Sequence, residues 1–393
     1  MTEQLAYALI TPYSLYKSRT GGIIGRLLAH AQLELVATRM YTFSDEFINE
    51  YQKIVCPAGT DPQIVEAWQR YLDESMRPSN PYGYVPRCML MMFRGPNAVR
   101  HLKDEVIGGF TETFSGDTIR GTYGDFIRDA EGKIRYFEPA VITSPNVESN
   151  NAHLKLLADY AISDGGILAG KIKYDQPAQV GLVMIKPDNF ERRSRRPGNI
   201  IDTFSLTGLR IVAARLFNMT VAQAEEFYGP LKSIFVKKLK GNVTQEVYER
   251  LHNAFNFAFT MADAEAVADR LAERNATTEF NRIVEYMTGV NPEDITEAAE
   301  RATASRAKCL AVLYEGPDAI NRIRKVLGST DPMKAEPGTV RSDFGRDLMR
   351  NGAHASDSED NAVRERNIIG LAEREKYTCD VTEIIHEYLE QQK

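Results

Sequence analysis

Little in this 393-residue chain points to the secreted, membrane or fibrous classes. There are four cysteines, Cys56, Cys88, Cys309 and Cys379, scattered and with no CxxC pair. That spacing argues against a disulfide framework or a structural zinc site and suits a reducing cytoplasm. Neither sign of charge dominates: Lys plus Arg is 48, Asp plus Glu is 54, and the net charge is -6. Nucleic acid and anionic membranes are therefore not expected partners. No apolar run approaches the ~18 residues needed to cross a bilayer. The N-terminus, MTEQLAYALITPYSLYKSR, has no basic stretch followed by an apolar one, so no secretory signal is expected. What remains is ordinary for a soluble globular protein, with 26% charged and 43% hydrophobic residues. At roughly 150 residues per domain the length favours two or three domains.

The chain repeats itself. LITPYSL (9 to 15), GGIIGRLL (21 to 28) and LELVATRMYTFS (33 to 44) run parallel to MIKPDNF (184 to 190), GNIIDTFS (198 to 205) and LRIVAARLFNMT (209 to 220). CMLMMFRGPNAV (88 to 99) likewise parallels CLAVLYEGPDAI (309 to 320). Short apolar runs ended by Pro12 and Pro187 read as strands, with Gly-containing turns leading into helices from Gly22 and Gly198. Ser44 and Thr220 read as helix N-caps, the second with Gln223 completing a capping box. Pro96 and Pro317 fit the first turn of the next helix. The expected fold is α+β, with two ferredoxin-like βαββαβ domains in tandem, over 1–165 and 175–393.

Each copy is interrupted. Residues 52 to 87 read as irregular, with Pro57, Pro62, Pro78, Pro81 and Pro86. Residues 238 to 307 read as a helical insertion. In it Val247, Leu251, Ala254, Phe255 and Ala258 share one helical face, and Ala264, Val267, Ala268 and Leu271 another. Gly165, Gly166 and Gly170 suggest a linker between the halves.

The chemistry concentrates in 327–367. Asn351-Gly352-Ala353-His354-Ala355-Ser356-Asp357-Ser358-Glu359 follows LGSTDP and PGTVRSDF, and Ile185-Lys186-Pro187-Asp188 lies upstream. An imidazole is uncharged and nucleophilic near neutral pH, so it can hold a phosphoryl group briefly. The group spreads charge over its oxygens in transfer and needs cationic donors around it. These separated motifs, in this order, closely resemble the nucleoside diphosphate kinase family.

The resemblance implies that His354 takes the γ-phosphate of a nucleoside triphosphate and passes it to a nucleoside diphosphate. It further implies that Glu365 fixes the histidine tautomer, and that Lys186, Arg324 and Arg341 form the cationic cradle. Thr330 would bind phosphate, Asn351 the sugar, and Tyr228 would stand near the transferred group. Mg²⁺ would be held mainly by the substrate phosphates, with no dedicated protein ligands. Two departures are visible: Asn189 stands where the family has glycine, and Glu359-Asp360 where Val-Glu is usual. The insertion replaces the helix end that carries the family's base-stacking aromatic, a role open to Phe235.

In the first copy Ile142 aligns with His354 and Thr11 with Lys186. Asp104 or Glu105 aligns with Arg324, and Tyr123, with Arg120 nearby, with Arg341. That copy is expected to be inactive and to pack against the second as an intrachain pseudo-dimer, to which further copies could add. His30, His101, His153, His252 and His386 read as ordinary surface or core residues. The basic run Arg192 to Arg196 could grip nucleic-acid phosphates, but a solvated loop is the simpler reading. Ser356 and Asp357 read as a helix cap that also braces Glu365. A different class remains open: a nucleotide-binding scaffold or regulatory protein with weak or no phosphotransfer.

Overall fold

A computed structural model describes residues 3–110, 116–371 and 380–392, and leaves the side chains of 238 and 239 aside. Cys379 lies outside the described residues; Cys56 and Cys88 are free thiols. The chain divides into two compact units, Met1–Phe217 with Leu310–Lys393, and Asn218–Cys309.

The larger unit holds two four-stranded sheets. The first is built from β1 (Glu3–Ile10), β2 (Glu34–Tyr41), β3 (Cys88–Pro96) and, after a separate hairpin of β4 (Asp125–Arg128) and β5 (Ile134–Glu138), β6 (Val141–Ile142). The second is built from β7 (Ala178–Ile185), β8 (Arg210–Asn218), β9 (Lys308–Pro317) and β10 (Ala353–Ala355). Their orders, β2-β3-β1-β6 and β8-β9-β7-β10, are the same topology. Each central pair is antiparallel, β1 on β3 and β7 on β9, as a split βαβ core requires. The central strands are apolar on both faces and buried, so helices cover one side of each sheet and further chain the other.

Local chemistry explains most element starts. The hydroxyls of Ser44 and Thr220 accept from the amides of Phe47 and Gln223, and the Thr220 capping box is complete. Pro96 and Pro317 differ from expectation: they end β3 and β9, and Asn97 and Asp318, in the left-handed region, cap the helices that follow. The stretch 52–87 is also more ordered than its prolines suggest. Pro62 sits in the first turn of a helix, Pro62–Tyr71, whose cap is Asp61 and which continues as a π-helix over Leu72–Met76. Proline is tolerated there because the first amides have no intrahelical acceptor.

Two helices of this unit, Thr20–His30 and Arg196–Phe204, cross at glycine. A β-carbon on Gly198 would overlap the backbone of Gly25, and one on Gly21 would overlap Asp202. The expected linker is pinned rather than loose: Gly166 donates to the Met40 carbonyl (2.9 Å) and Leu168 to that of Val212 (2.8 Å), joining β2 and β8.

The smaller unit is a pair of long helices, Val221–Leu251 and Met261–Thr288. The first begins well before 238 and runs through Pro230. Its expected face stops short, since Ala254, Phe255 and Ala258 lie past its end and Phe255 is exposed. In the second, Ala264, Ala268, Ala272 and Ala276 are buried at four-residue spacing, while Leu271 points outward. Among the described residues no helix is long and apolar enough to cross a membrane.

Candidate active site

β10 pairs antiparallel with β7 and sets His354 opposite Met184. Side chains two apart share a face of a strand, so Lys186 continues the face of Met184 and His354 just past the end of β7. The Lys186 amide donates to the Gly352 carbonyl (3.2 Å), tying the turn after β7 to the approach to β10. Gly352 has φ +83, a region that favours glycine.

Asn189, the departure from the family pattern, reinforces that tie. Its amide nitrogen donates to the carbonyls of Lys186 (2.9 Å) and Gly352 (2.8 Å), and its oxygen accepts from Arg196 Nε (2.7 Å). Arg196 also donates to the Phe344 carbonyl and pairs with Asp188 at 3.4 Å. The last arginine of the basic run is thus spent on holding the loop. Sequence reasoning missed this clamp; its only signal was an amide where glycine is usual.

Glu365 and Ser356 hold the imidazole. His354 Nε2 lies 2.9 Å from Glu365 Oε2, and Ser356 Oγ donates to the same oxygen at 2.6 Å. The Glu365 side chain is 7% exposed and the His354 side chain 21%, so the orienting carboxylate is covered while the ring keeps an open edge. Glu365 rides on the helix Glu359–Ile368, whose cap is Ser358 rather than Ser356 or Asp357. Ser356 is the brace. Asp357 accepts from the Asn361 amide (2.6 Å), which with Ser358 and the nearby Arg324 charge holds its carboxyl below the usual range. With Nε2 facing a carboxylate, the ring's other nitrogen is the one that can act as nucleophile.

Beside the ring runs a connected polar group. Lys186 Nζ donates to Asn351 Oδ1 (2.7 Å) and the Met349 carbonyl (3.0 Å). The Asn351 amide donates to the Thr330 carbonyl (3.1 Å). Arg341 donates to the carbonyl of Gly328 (3.1 Å), to the Thr330 hydroxyl (3.4 Å) and to the carbonyl of Ala353, the residue before His354 (3.4 Å). His354, Glu365, Lys186, Thr330, Arg341 and Asn351 therefore come together. Arg324 is exposed on the last turn of the helix Ala319–Leu327, and its charge acts on the Asp357 carboxyl. Tyr228 and Phe235 belong to the helical unit, where the buried Tyr228 ring lies 4.9 Å from that of Phe227. Among the described residues no three His, Cys, Asp or Glu side chains gather to hold a metal. The donors here are cationic and amide groups, suited to phosphate oxygens, so a Mg²⁺ fits this site as the counter-ion of a bound polyphosphate.

The first half has the same scaffold with different side chains. Ile142 lies opposite Leu9, as His354 lies opposite Met184. The Thr11 amide donates to the Ala140 carbonyl (3.1 Å), as Lys186 does to Gly352. The Arg341 position is taken by Arg120, not Tyr123: Arg120 donates to the carbonyls of Gly108 (2.8 Å) and Val141 (3.1 Å), the counterparts of Gly328 and Ala353. The short helices Ile119–Tyr123 and Val340–Phe344, capped by Thr118 and Thr339, fix that register. Near the Arg324 counterpart a π-helix, Leu102–Ile107, adds a residue; the Gly108 amide bonds Lys103, as Gly328 bonds Arg324. His153 stands in the place of Glu365, bonded to Ser144 as Glu365 is to Ser356, and burial holds it below the usual imidazole range.

The family model for nucleoside diphosphate kinase matches residues 179–245 and 232–373. The nucleoside diphosphate kinase of Methanobrevibacter smithii is 30% identical over 190 residues, 48% of this chain and 85% of that protein. That of Methanococcus maripaludis is 30% identical over 184 residues, 47% of this chain and 92% of that protein. The solved structure of the Aquifex aeolicus enzyme aligns with 49% of this chain and 95% of its own, at 26% identity and a TM-score of 0.30. The chain belongs to the nucleoside diphosphate kinase family.

Proposed function

We propose that this protein is a cytoplasmic nucleoside diphosphate kinase with one active centre, in its second half. The observation that carries this reading is the His354–Glu365–Ser356 chain, a partly exposed imidazole oriented by a buried carboxylate. Glu365 accepts from Nε2–H and so keeps the lone pair on Nδ1 for attack on the γ-phosphorus. A bond forms between Nδ1 and phosphorus, and the bond to the β,γ-bridging oxygen breaks. The nucleoside diphosphate leaves with that oxygen; a Mg²⁺ carried on its phosphates would supply charge neutralisation. Lys186 and Arg341 steady the charge on the equatorial oxygens, and Thr330 and Asn351 position the polyphosphate and sugar. Arg324 supplies a further charge at the rim. A second diphosphate then takes the phosphoryl group by the reverse path, giving ping-pong kinetics.

Intact mass after mixing with ATP and Mg²⁺ tests the reading. A gain of one phosphoryl group, discharged by a nucleoside diphosphate, is expected. No gain, with nucleotide binding intact, would leave the scaffold reading in its place. Glu365→Gln should lower kcat by about 10²-fold, the low end for a positioned acid–base partner. An unchanged kcat in an exchange assay would show that the carboxylate does not set the tautomer.

We further infer that the first half is a degenerate copy and that the two form an intrachain pseudo-dimer. Gly21 and Gly198 are equivalent in the repeat, as are Gly25 and Asp202. The crossing sets Gly21 against Asp202 and Gly198 against Gly25, the reciprocal pattern of a two-fold contact.

A further inference from the structure

A small cavity lies where the glycine crossing of the two helices meets β8 and β9. Gly21 lines it, together with side chains from both halves of the repeat. It holds about 50 Å³, room for a small anion and too little for a nucleoside. None of its lining residues belongs to the group around His354 or to that group's counterparts Thr11, Arg120, Ile142 and His153.

The charge at its wall has one sign. Arg87 and Arg210 line it with Ser18, Thr20, Ser205 and Tyr314, and no lining residue is acidic. Arg87 is 7% exposed and donates to the Ile211 carbonyl. The carboxylate nearby, Glu315, is engaged by the Gly170 amide (2.6 Å) and the Tyr174 hydroxyl (3.5 Å). Among the described residues neither arginine has a carboxylate partner. Burial, and then the Arg210 charge, hold the Arg87 guanidinium down at about 10. A buried charge without a counter-charge is costly. The repeat has opposite signs at the equivalent positions, Glu34 for Arg210 and Lys308 for Arg87, so the excess of positive charge is particular to this side.

A second observation is independent of charge. Tyr314, also at the cavity wall, is 2% exposed, and its hydroxyl is buried with no hydrogen-bond partner among the described residues. Such orphans are rare, and a ligand with acceptor atoms in the cavity would answer this one.

We propose that this cavity binds a free tetrahedral oxyanion, inorganic phosphate, between the two halves. A guanidinium offers phosphate oxygens a planar fork of N–H donors. The hydroxyls of Ser18, Thr20, Ser205 and Tyr314 can each donate one bond more. A halide has the charge but not four separate acceptors, and a cation would meet two arginines and no acid.

Calorimetric titration of the full chain with inorganic phosphate, at constant ionic strength, tests this. Saturable binding is expected, and it should persist in Lys186→Met, which weakens the cationic group beside His354. The result is therefore independent of the phosphotransfer reading. Arg210 is half-buried with its charge over the Tyr16 ring, so Arg210→Gln should fold and bind phosphate about 10- to 100-fold more weakly. Tyr314→Phe keeps the ring packed 5.7 Å from that of Phe204 and should weaken phosphate about 3- to 10-fold. Chloride should give no saturable heat, and phosphoserine, too large for the space, should not bind in its place. The absence of saturable heat with phosphate, binding lost in Lys186→Met, equal binding of chloride or phosphoserine, or unaltered affinity in both Arg210→Gln and Tyr314→Phe would overturn the proposal.

Discussion

His354→Ala should abolish nucleotide phosphate exchange, by ~10⁶-fold, the scale on which removing a nucleophile silences a covalent enzyme. The loss should not come from unfolding. The side chain is partly exposed, and in its absence Glu365 keeps the 2.6 Å bond from Ser356. Melting temperature and nucleotide binding should therefore stay close to those of the parent. Lys186→Met removes a charge but leaves the nucleophile, so it should cost only about 10²–10³-fold in kcat. A coupled exchange assay with both variants separates the covalent step from electrostatic support. If the alanine variant still became labelled from γ-labelled ATP, phosphate would be reaching another side chain and the proposed mechanism would be wrong.

The second large effect is on stability. Gly198→Val should destabilise the protein by about 3 kcal/mol, because its β-carbon would enter the backbone of Gly25 and neither helix can yield locally. Gly21→Val should act similarly through Asp202. Gly229→Ala is the control: its β-carbon meets nothing, it lies inside a long helix, and replacement should stabilise by up to ~1 kcal/mol. Denaturant unfolding of the three variants measures this. A neutral Gly198→Val would show that the crossing is not close-packed, and would remove the main support for a reciprocal contact between the halves.

The strands, the Ser44 and Thr220 caps and the alignment of Ile142 with His354 and Thr11 with Lys186 were legible because each rests on a local pattern. Strand register then carries a correct pairing along the sheet, since a slip of one residue would reverse every side chain. Other features were hidden because their cause is not local. Pro62 reads as a breaker unless Asp61 is seen as a cap. Arg120 lay three residues from the expected Tyr123, and only the Thr118 cap and two carbonyl bonds decide between them. Asn189 read as a defect in the family pattern, yet its amide bonds Lys186 and Gly352. His153 read as an ordinary core histidine; its correspondence to Glu365 depends on Ser144, which the linear sequence does not bring near.

The twin arginines give the molecule an internal reference standard. Arg120 and Arg341 clasp equivalent pairs of carbonyls, but the second carbonyl precedes Ile142 in one half and His354 in the other. Part of any defect on losing Arg341 must then be sagging of the chain that it laces together, not weakened attraction for phosphate. Substituting Arg120 alone exposes that architectural share in the half where Ile142 stands at the His354 position, and subtracting it isolates what the guanidinium contributes beyond it.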